Sequence, residues 1–310
     1  MKTAFVFPGQ GSQSLGMQAE LAEAFPIVRQ TYEEAGEALG RDLWSLSREG
    51  PEEQLGLTVN TQPLMLAAGM AAWRVWRERG GAAPAWVAGH SLGEYAALVA
   101  AGALAFTDAV RLVAERARFM QEAVAEEAGA MAAVLGLDDD AVRAACEQAA
   151  PAGVVEAVNY NAPGQVVIAG EKPAVERAIE AAKESGARRA MLLPVSVPSH
   201  CRLMRPAADR LRAALQDVSI DPPGIPVVNN ADVAVESDPA AIADALVRQL
   251  YSPVRWVETV QRFVAEGAGR VVECGPGKVL AGLGRRIDRS LPHAALDTPA
   301  ALDALLQEEE

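Results

Sequence analysis

Trp86-Val87-Ala88-Gly89-His90-Ser91-Leu92-Gly93-Glu94-Tyr95 reads as a short apolar strand, a sharp turn at Ser91 and the start of a helix. Gly89 and Gly93 bracket the serine in the pattern G-x-S-x-G, the strand–turn–helix signature of a nucleophile elbow. The glycines have a steric reason. So tight a turn brings backbone against the residues flanking the serine, and a side chain on either flank would clash. The turn lifts the hydroxyl above the sheet edge, beside orphan N–H groups of a helix N-terminus that can stabilise an oxyanion. The apolar run over residues 95–106 predicts a core helix after the turn. The competing reading is an ordinary Gly-rich turn.

Working outward, Thr3–Phe7 is a β-prone run that predicts an internal strand. It ends in Pro8-Gly9-Gln10-Gly11-Ser12-Gln13, which lacks the Gly-Lys-Ser/Thr of a P-loop. This segment is either a plain strand-to-helix turn or a place where backbone N–H groups converge on an anionic centre. Asn60-Thr61-Gln62-Pro63 reads as a helix start, with apolar residues following to Trp76. A later helix, with Thr107 as its expected N-cap, carries Ala109, Leu112, Val113, Ala117 and Met120 on one stripe and Arg111, Glu115, Arg118 and Glu122 on the wet face. Arg116 falls four residues after Leu112 and four before Met120, so it points inward with the apolar stripe. A buried guanidinium is costly without an anionic partner. That partner is either a structural carboxylate or the carboxylate of a substrate, which the planar fork grips with two hydrogen bonds.

Residues 130–195 change character. Strands over 130–137, 154–160, 165–169 and 188–195 alternate with helices over 138–150 and 172–185, in the order βαββαβ of a ferredoxin-like unit. The elbow precedes this unit and more α/β pattern follows it, which predicts an α/β fold with a parallel sheet in residues 1–127 and 197–310 and a ferredoxin-like insertion in residues 128–196. Pro198-Ser199-His200-Cys201 then leads into helical periodicity, so His200 is expected at a helix N-terminus with Ser199 as a possible cap. The helix dipole there would keep the imidazole neutral. There are three histidines. His90 adjoins Ser91, where neighbouring side chains diverge, and His293 lies in a polar C-terminal stretch, so His200 is the candidate base. Residues 225–229 predict a strand, Asp238 starts a helix whose last turn holds Gln249, and residues 270–274 predict another strand before Gly275-Pro276-Gly277-Lys278.

The length of 310 residues allows a large core, either one domain or a domain with an insertion. A net charge of -13 argues against a nucleic-acid binder. No apolar run approaches membrane length. Met1 to Pro8 does not read as a signal peptide. Cys146, Cys201 and Cys274 are far apart and odd in number, with neither a disulfide framework nor metal-ligand spacing, which points to a reducing cytoplasm. The Glu308-Glu309-Glu310 tail is expected to be frayed.

Together, Gly9-Gln10-Gly11-Ser12-Gln13, Gly89-His90-Ser91-Leu92-Gly93, Arg116 and Pro198-Ser199-His200-Cys201 resemble the malonyl-CoA:acyl carrier protein transacylases of bacterial fatty-acid synthesis. The stretch Asn159-Tyr160-Asn161-Ala162-Pro163-Gly164 and the segment Glu273-Cys274-Gly275-Pro276-Gly277 are also similar to the family, and the match runs in order over essentially the whole chain. The resemblance implies an α/β-hydrolase-like catalytic part with a ferredoxin-like insertion. It implies Ser91 as nucleophile and His200 as base, with the backbone amides of Gln10 and Leu92 as oxyanion hole. Arg116 would bind the malonyl carboxylate, the carbonyl of Gln249 would orient His200, and Asn159 and Ser199 would lie against the substrate. In related polyketide domains a Ser before the histidine goes with methylmalonyl, whereas the stand-alone malonyl enzymes also carry Ser there. The resemblance implies no metal or redox cofactor; the substrates would be malonyl-CoA and a phosphopantetheinylated acyl carrier protein. The expected form is a monomer that meets an acidic carrier protein transiently, with no nucleic acid and no membrane as partner. Because the chain is itself acidic, docking would need a local basic patch, for which Lys183, Arg188, Arg189, Lys278, Arg285, Arg286 and Arg289 are candidates.

Three rival functions remain at this stage. One is a polyketide-pathway acyltransferase. A serine esterase or thioesterase would explain Ser91 and His200 but not the inward Arg116, and no HGGG-type segment is present. A non-catalytic carrier-protein-binding module would leave the elbow unexplained.

Overall fold

The computed structural model of the protein describes residues 1–125, 127–195 and 197–308. Ser196, the expected end of the insertion, and Glu309 and Glu310 of the acidic tail lie outside the described residues. Along the chain the strands are β1 (Thr3–Phe7), β2 (Trp86–Gly89), β3 (Gly129–Leu135), β4 (Val155–Ala162), β5 (Gln165–Glu171), β6 (Arg189–Leu192), β7 (Val227–Val228), β8 (Arg270–Cys274) and β9 (His293–Leu296).

The first sheet has the order β7-β2-β1-β8-β9, and every pairing in it is parallel. β1 lies at its centre and is buried along its whole length. Its side chains alternate between two cores, as a strand covered on both faces requires. Phe5 and Phe7 pack with the helices Thr58–Glu78, Gly93–Ala100 and Phe106–Glu122, and Phe5 meets Trp73 edge-on at 5.7 Å. Ala4 and Val6 pack on the opposite side with Trp256, Val260, Phe263 and Leu280.

The second sheet, order β4-β5-β3-β6, is antiparallel throughout. Ala132, Val134, Val166 and Ile168 on one face pack against the helices Asp139–Ala149 and Lys172–Glu184. Met131, Val167 and Ala169 on the other face pack with Cys201, next to His200. The alternation of a half-buried strand thus turns one face toward its own helices and the other toward the first sheet's loops. The whole is mixed α/β, an α/β-hydrolase-like parallel sheet joined to a ferredoxin-like one.

Several local expectations need correction. The helix expected at residue 60 starts at Thr58 and contains Pro63. Pro63 therefore lies inside the helix, where it forgoes a backbone bond, and Gln62 beside it is buried. The apolar run after the elbow does not continue as one helix to residue 106. It stops at Ala100, near Gly102 in the left-handed region, and a new helix begins at Phe106 with Ala105, not Thr107, at its N-cap. The strand expected to reach residue 195 ends at Leu192, and Leu193, Pro194 and Val195 line a cavity instead. His293 is not in a polar stretch: it is a buried residue of β9.

Candidate active site

The elbow forms at the end of β2. A Cβ on Gly89 would lie 1.8 Å from the carbonyl carbon of Gly93, and one on Gly93 would lie 2.0 Å from the carbonyl oxygen of Phe7. Only bare backbone fits at either place. Ser91 has φ 52°, a left-handed conformation that costs a residue with a Cβ on the order of 1–3 kcal/mol. Asn230, just past β7, holds it there. Its Oδ1 accepts from Ser91 N at 2.6 Å and its Nδ2 donates to the Gly89 carbonyl at 2.6 Å.

Ser91 Oγ lies 2.7 Å from His200 Nε2. His200 Nδ1 lies 2.8 Å from the main-chain carbonyl oxygen of Gln249. A carbonyl can only accept, so the ring proton sits on Nδ1 and the lone pair of Nε2 faces the serine. The His200 N–H donates to the Leu250 carbonyl at 3.0 Å, fixing a φ of 67°. The imidazole is held neutral, with its pKa pushed down to about 3, first by burial and then by the charge of Arg116. The expected cause was different. The helix after His200 begins only at Arg205, behind a short 3₁₀ turn at Arg202–Met204, and Ser199 Oγ caps nothing but contacts the Val197 carbonyl at 3.4 Å. The N-terminus of the following helix is therefore not at His200; the helix end that meets the ring is the C-terminus of Pro239–Gln249.

Arg116 is 1 % exposed. Its Nη1 donates to Gln62 Oε1 at 2.7 Å, and its Nη2 donates to Gln249 Oε1 at 3.0 Å and to Ser91 Oγ at 3.3 Å. Among the described residues no carboxylate forms a salt bridge with it, so the structural ion pair considered from the sequence is not what holds it. Two amide oxygens and the serine hydroxyl, all neutral, hold a buried cation, an arrangement that favours an arriving anion.

Ser91, His200, Arg116, Gln10, Leu92, Asn159 and Ser199 all line one cavity of about 670 Å³. Gly9 lets the first loop close on the elbow, since a Cβ there would meet the His90 carbonyl oxygen at 2.5 Å. Gln10 and Leu92 thereby reach the same cavity from separate segments of the chain. Asn159 Oδ1 is buried and has no hydrogen-bond partner among the described residues. His90 points away from the nucleophile: its Nε2 lies 2.8 Å from Asn161 Oδ1, and its ring packs on Trp256 at 5.5 Å. Of the basic candidates, Lys183 pairs with Glu180, Lys278 with Asp297, and Arg286 binds Gln165 and the Pro163 carbonyl.

The sequence reading missed Gln62, Glu94 and Asn230. Each is buried and polar, and each bonds to the elbow or to Arg116 or Gln249. Gln62 stands in an otherwise apolar stretch beside Pro63, which was the available signal. Glu94 reads as an ordinary acid in a first helical turn, and Asn230 as a loop residue.

The family model for the acyl transferase domain matches residues 4–297. A malonyl CoA-acyl carrier protein transacylase of Salmonella typhimurium is 58% identical over 303 residues, covering 98% of each chain. One from Bacillus subtilis is 45% identical over 307 residues, covering 99% of this chain and 96% of its own. Among solved structures, an acyl-carrier-protein S-malonyltransferase of Burkholderia pseudomallei superposes with a TM-score of 0.97 at 60% identity, over 99% of this chain and 100% of that one. A malonyl-transacylase solved in complex with a type II PKS acyl-carrier protein superposes with a TM-score of 0.98 at 55% identity, over 99% of this chain and 100% of its own.

Proposed function

The chain belongs to the malonyl CoA-acyl carrier protein transacylases of the acyl transferase domain family, and we propose that it moves malonyl from malonyl-CoA to the phosphopantetheine thiol of an acyl carrier protein through an ester on Ser91. The observation that carries the reading is one oxygen with two neighbours: Ser91 Oγ lies 2.7 Å from a neutral His200 Nε2 and 3.3 Å from the buried Arg116 Nη2. The base makes the serine a nucleophile, and the cation suits an acyl group that ends in a carboxylate.

His200 takes the Ser91 proton as Oγ attacks the thioester carbonyl. The carbonyl of Gln249 keeps the ring in the productive tautomer and adds no full negative charge, so it orients the base more than it strengthens it. The backbone amides of Gln10 and Leu92, residues that both line the cavity, would stabilise the tetrahedral oxyanion. Coenzyme A leaves as its thiol, reprotonated by His200. The carrier thiol then enters, gives its proton to His200, attacks the malonyl ester, and Ser91 recovers the proton. Arg116 holds the malonyl carboxylate through both halves. Asn159 and Ser199 border the acyl chain. The proton movements need only these side chains, with no metal or redox cofactor in any step.

The division of labour between residues 1–127 and 197–310 as catalytic part and 128–196 as insertion fits this reading. The first sheet carries the elbow, and β3, β4 and the segment after β6 supply Met131, Asn159 and Leu193 to the cavity wall. The chain would act as a monomer. Free, buried Cys146, Cys201 and Cys274 suit a reducing cytoplasm, and no helix among the described residues is long and apolar enough to cross a membrane. The acidic carrier protein would dock through basic side chains such as Arg188, Arg189 and Arg289. The test is to mix the protein with malonyl-CoA, with and without a phosphopantetheinylated carrier protein. Transfer to the carrier with little free malonate is expected; rapid malonate release in both mixtures would indicate a thioesterase.

A further inference from the structure

Gln249 does more than offer its carbonyl to His200. Its side-chain Oε1 accepts from Arg116 Nη2 at 3.0 Å, while its Nε2 donates to the Ser91 carbonyl at 3.0 Å and to Glu94 Oε2 at 2.8 Å. One residue thus touches the base, the nucleophile's backbone and the buried guanidinium together. The amide has two possible orientations, and only one serves. A guanidinium offers donors alone, so Oε1 must face Arg116 and Nε2 must face away. Glu94 reinforces that orientation as the charged acceptor for Nε2, beside the neutral Ser91 carbonyl. Its carboxylate is 2 % exposed, accepts from Asn230 N at 2.9 Å as well as from Gln249 Nε2, and offers no donor when ionised.

We infer that Glu94 is a positioning residue for acyl selection: by accepting from Gln249 Nε2 it locks the Gln249 amide with Oε1 on Arg116, and so holds the guanidinium fork where an acyl carboxylate can bind. Glu94 lines no part of the cavity and touches no reacting atom. It acts through Gln249, and its negative charge is also the counter-charge nearest in the network to a cation that lacks a salt bridge. Replacing the carboxylate by an amide removes the charge and lets either end of the new side chain face Gln249, so the orientation rests on Arg116 and the Ser91 carbonyl alone and is held less firmly.

The inference rests on the malonyl-transfer reading, and the test separates the two. Rates of serine acylation by malonyl-CoA and acetyl-CoA are measured for the unsubstituted protein, Glu94→Gln, Glu94→Asp, Gln249→Ala and the Glu94→Gln/Gln249→Ala pair, with thermal melts as a folding check. In Glu94→Gln the malonyl-to-acetyl ratio of kcat/KM should fall by roughly tenfold, with the loss mainly in malonyl KM, a typical coupling between residues of one polar network. Glu94→Asp, which keeps the charge, should stay closer to the unsubstituted ratio. Gln249→Ala should lower the ratio by itself, and adding Glu94→Gln to it should change the ratio no further. Equal losses for both acyl groups in Glu94→Gln, or an unchanged ratio in a folded Gln249→Ala protein, would overturn the inference, as would additive effects in the pair. An unsubstituted protein that took up neither acyl group would overturn the functional reading, and this one with it.

Discussion

The main-chain carbonyl of Gln249 accepts the Nδ1 proton of His200 at 2.8 Å, in the place that a carboxylate holds in a Ser-His-Asp triad. A carbonyl orients the imidazole and stabilises its charged form less than a carboxylate would. Burial and the Arg116 charge outweigh that bond and push the His200 pKa down to about 3.

The pH dependence follows. A base is lost when pH falls through its pKa in the folded protein, so His200 should remain active far below the ordinary histidine range. Among the residues around Ser91 and Arg116, Glu94 is the buried carboxylate that titrates near neutrality, pushed up to about 7 by burial despite its bonds from Gln249 and Asn230; Glu273, in β8, is pushed up alike. Any break in the profile of kcat/KM for malonyl-CoA near pH 7 should therefore disappear in Glu94→Gln. A break near 6.5 that survives that substitution would place the base's pKa in the ordinary range and contradict this electrostatic picture.

Removing the base should be costly but not absolute. His200→Ala is expected to slow serine acylation by on the order of 10²–10⁴-fold, the usual worth of a positioned general base. Stopped-flow release of coenzyme A reads this directly. A near-normal rate would move the base elsewhere; His90, bonded to Asn161, is poorly aimed to replace it.

Arg116 should govern which acyl group is accepted. Arg116→Ala removes one member of a buried charged pair in the malonyl complex, which costs about 3–5 kcal/mol, roughly two to three decades of malonyl transfer. Acetyl transfer should fall less or rise. Arg116→Lys should restore little, because an ammonium cannot reproduce the two-pronged contact. Arg111 and Arg118 lie on the same helix with more than half of each side chain exposed, and Ala there should cost less than about 1 kcal/mol. Equal loss of malonyl and acetyl transfer in Arg116→Ala would mean a structural role.

The elbow's geometry predicts opposite outcomes for two glycines. Gly89→Ala drives a Cβ into backbone that cannot yield, so it should destabilise at the exceptional end, by about 4 kcal/mol or more. Gly282, exposed in the helix Val279–Ile287, has open space within 4 Å of where a methyl group would sit, and Ala there should stabilise by about 0.4–1 kcal/mol. Urea titrations of both variants measure the difference; similar midpoints would show that the turn is not so tightly packed.

Much of this was legible in the chain because it is local. The elbow's glycines, the helical spacing that turns Arg116 inward, the strand Arg270–Cys274 and the βαββαβ order all depend on residues near one another in sequence. The parallel order β7-β2-β1-β8-β9 does not, since every pairing in it crosses many residues. The same distance hid the polar network. Gln62, Glu94, Asn230 and Gln249 come from separate segments, and nothing in the local pattern of each says that its side chain is buried. For Gln249 the unpaired carbonyl at a helix end was visible, but the amide that binds Arg116 was not. The helix start expected at His200 shows the converse. The helical spacing beyond it is real, but a short 3₁₀ turn intervenes, and burial achieves what the dipole was expected to do.

The most direct measurement of the central claim is the intact mass of the protein after brief exposure to malonyl-CoA without carrier protein, alongside a folded Ser91→Ala variant. The account predicts that the unsubstituted protein gains one malonyl group, located on Ser91 by peptide mapping and lost on adding a phosphopantetheinylated carrier protein, and that Ser91→Ala gains none. Malonylation of the Ser91→Ala protein at a comparable rate, or an unmodified protein that still transfers malonyl, would contradict it.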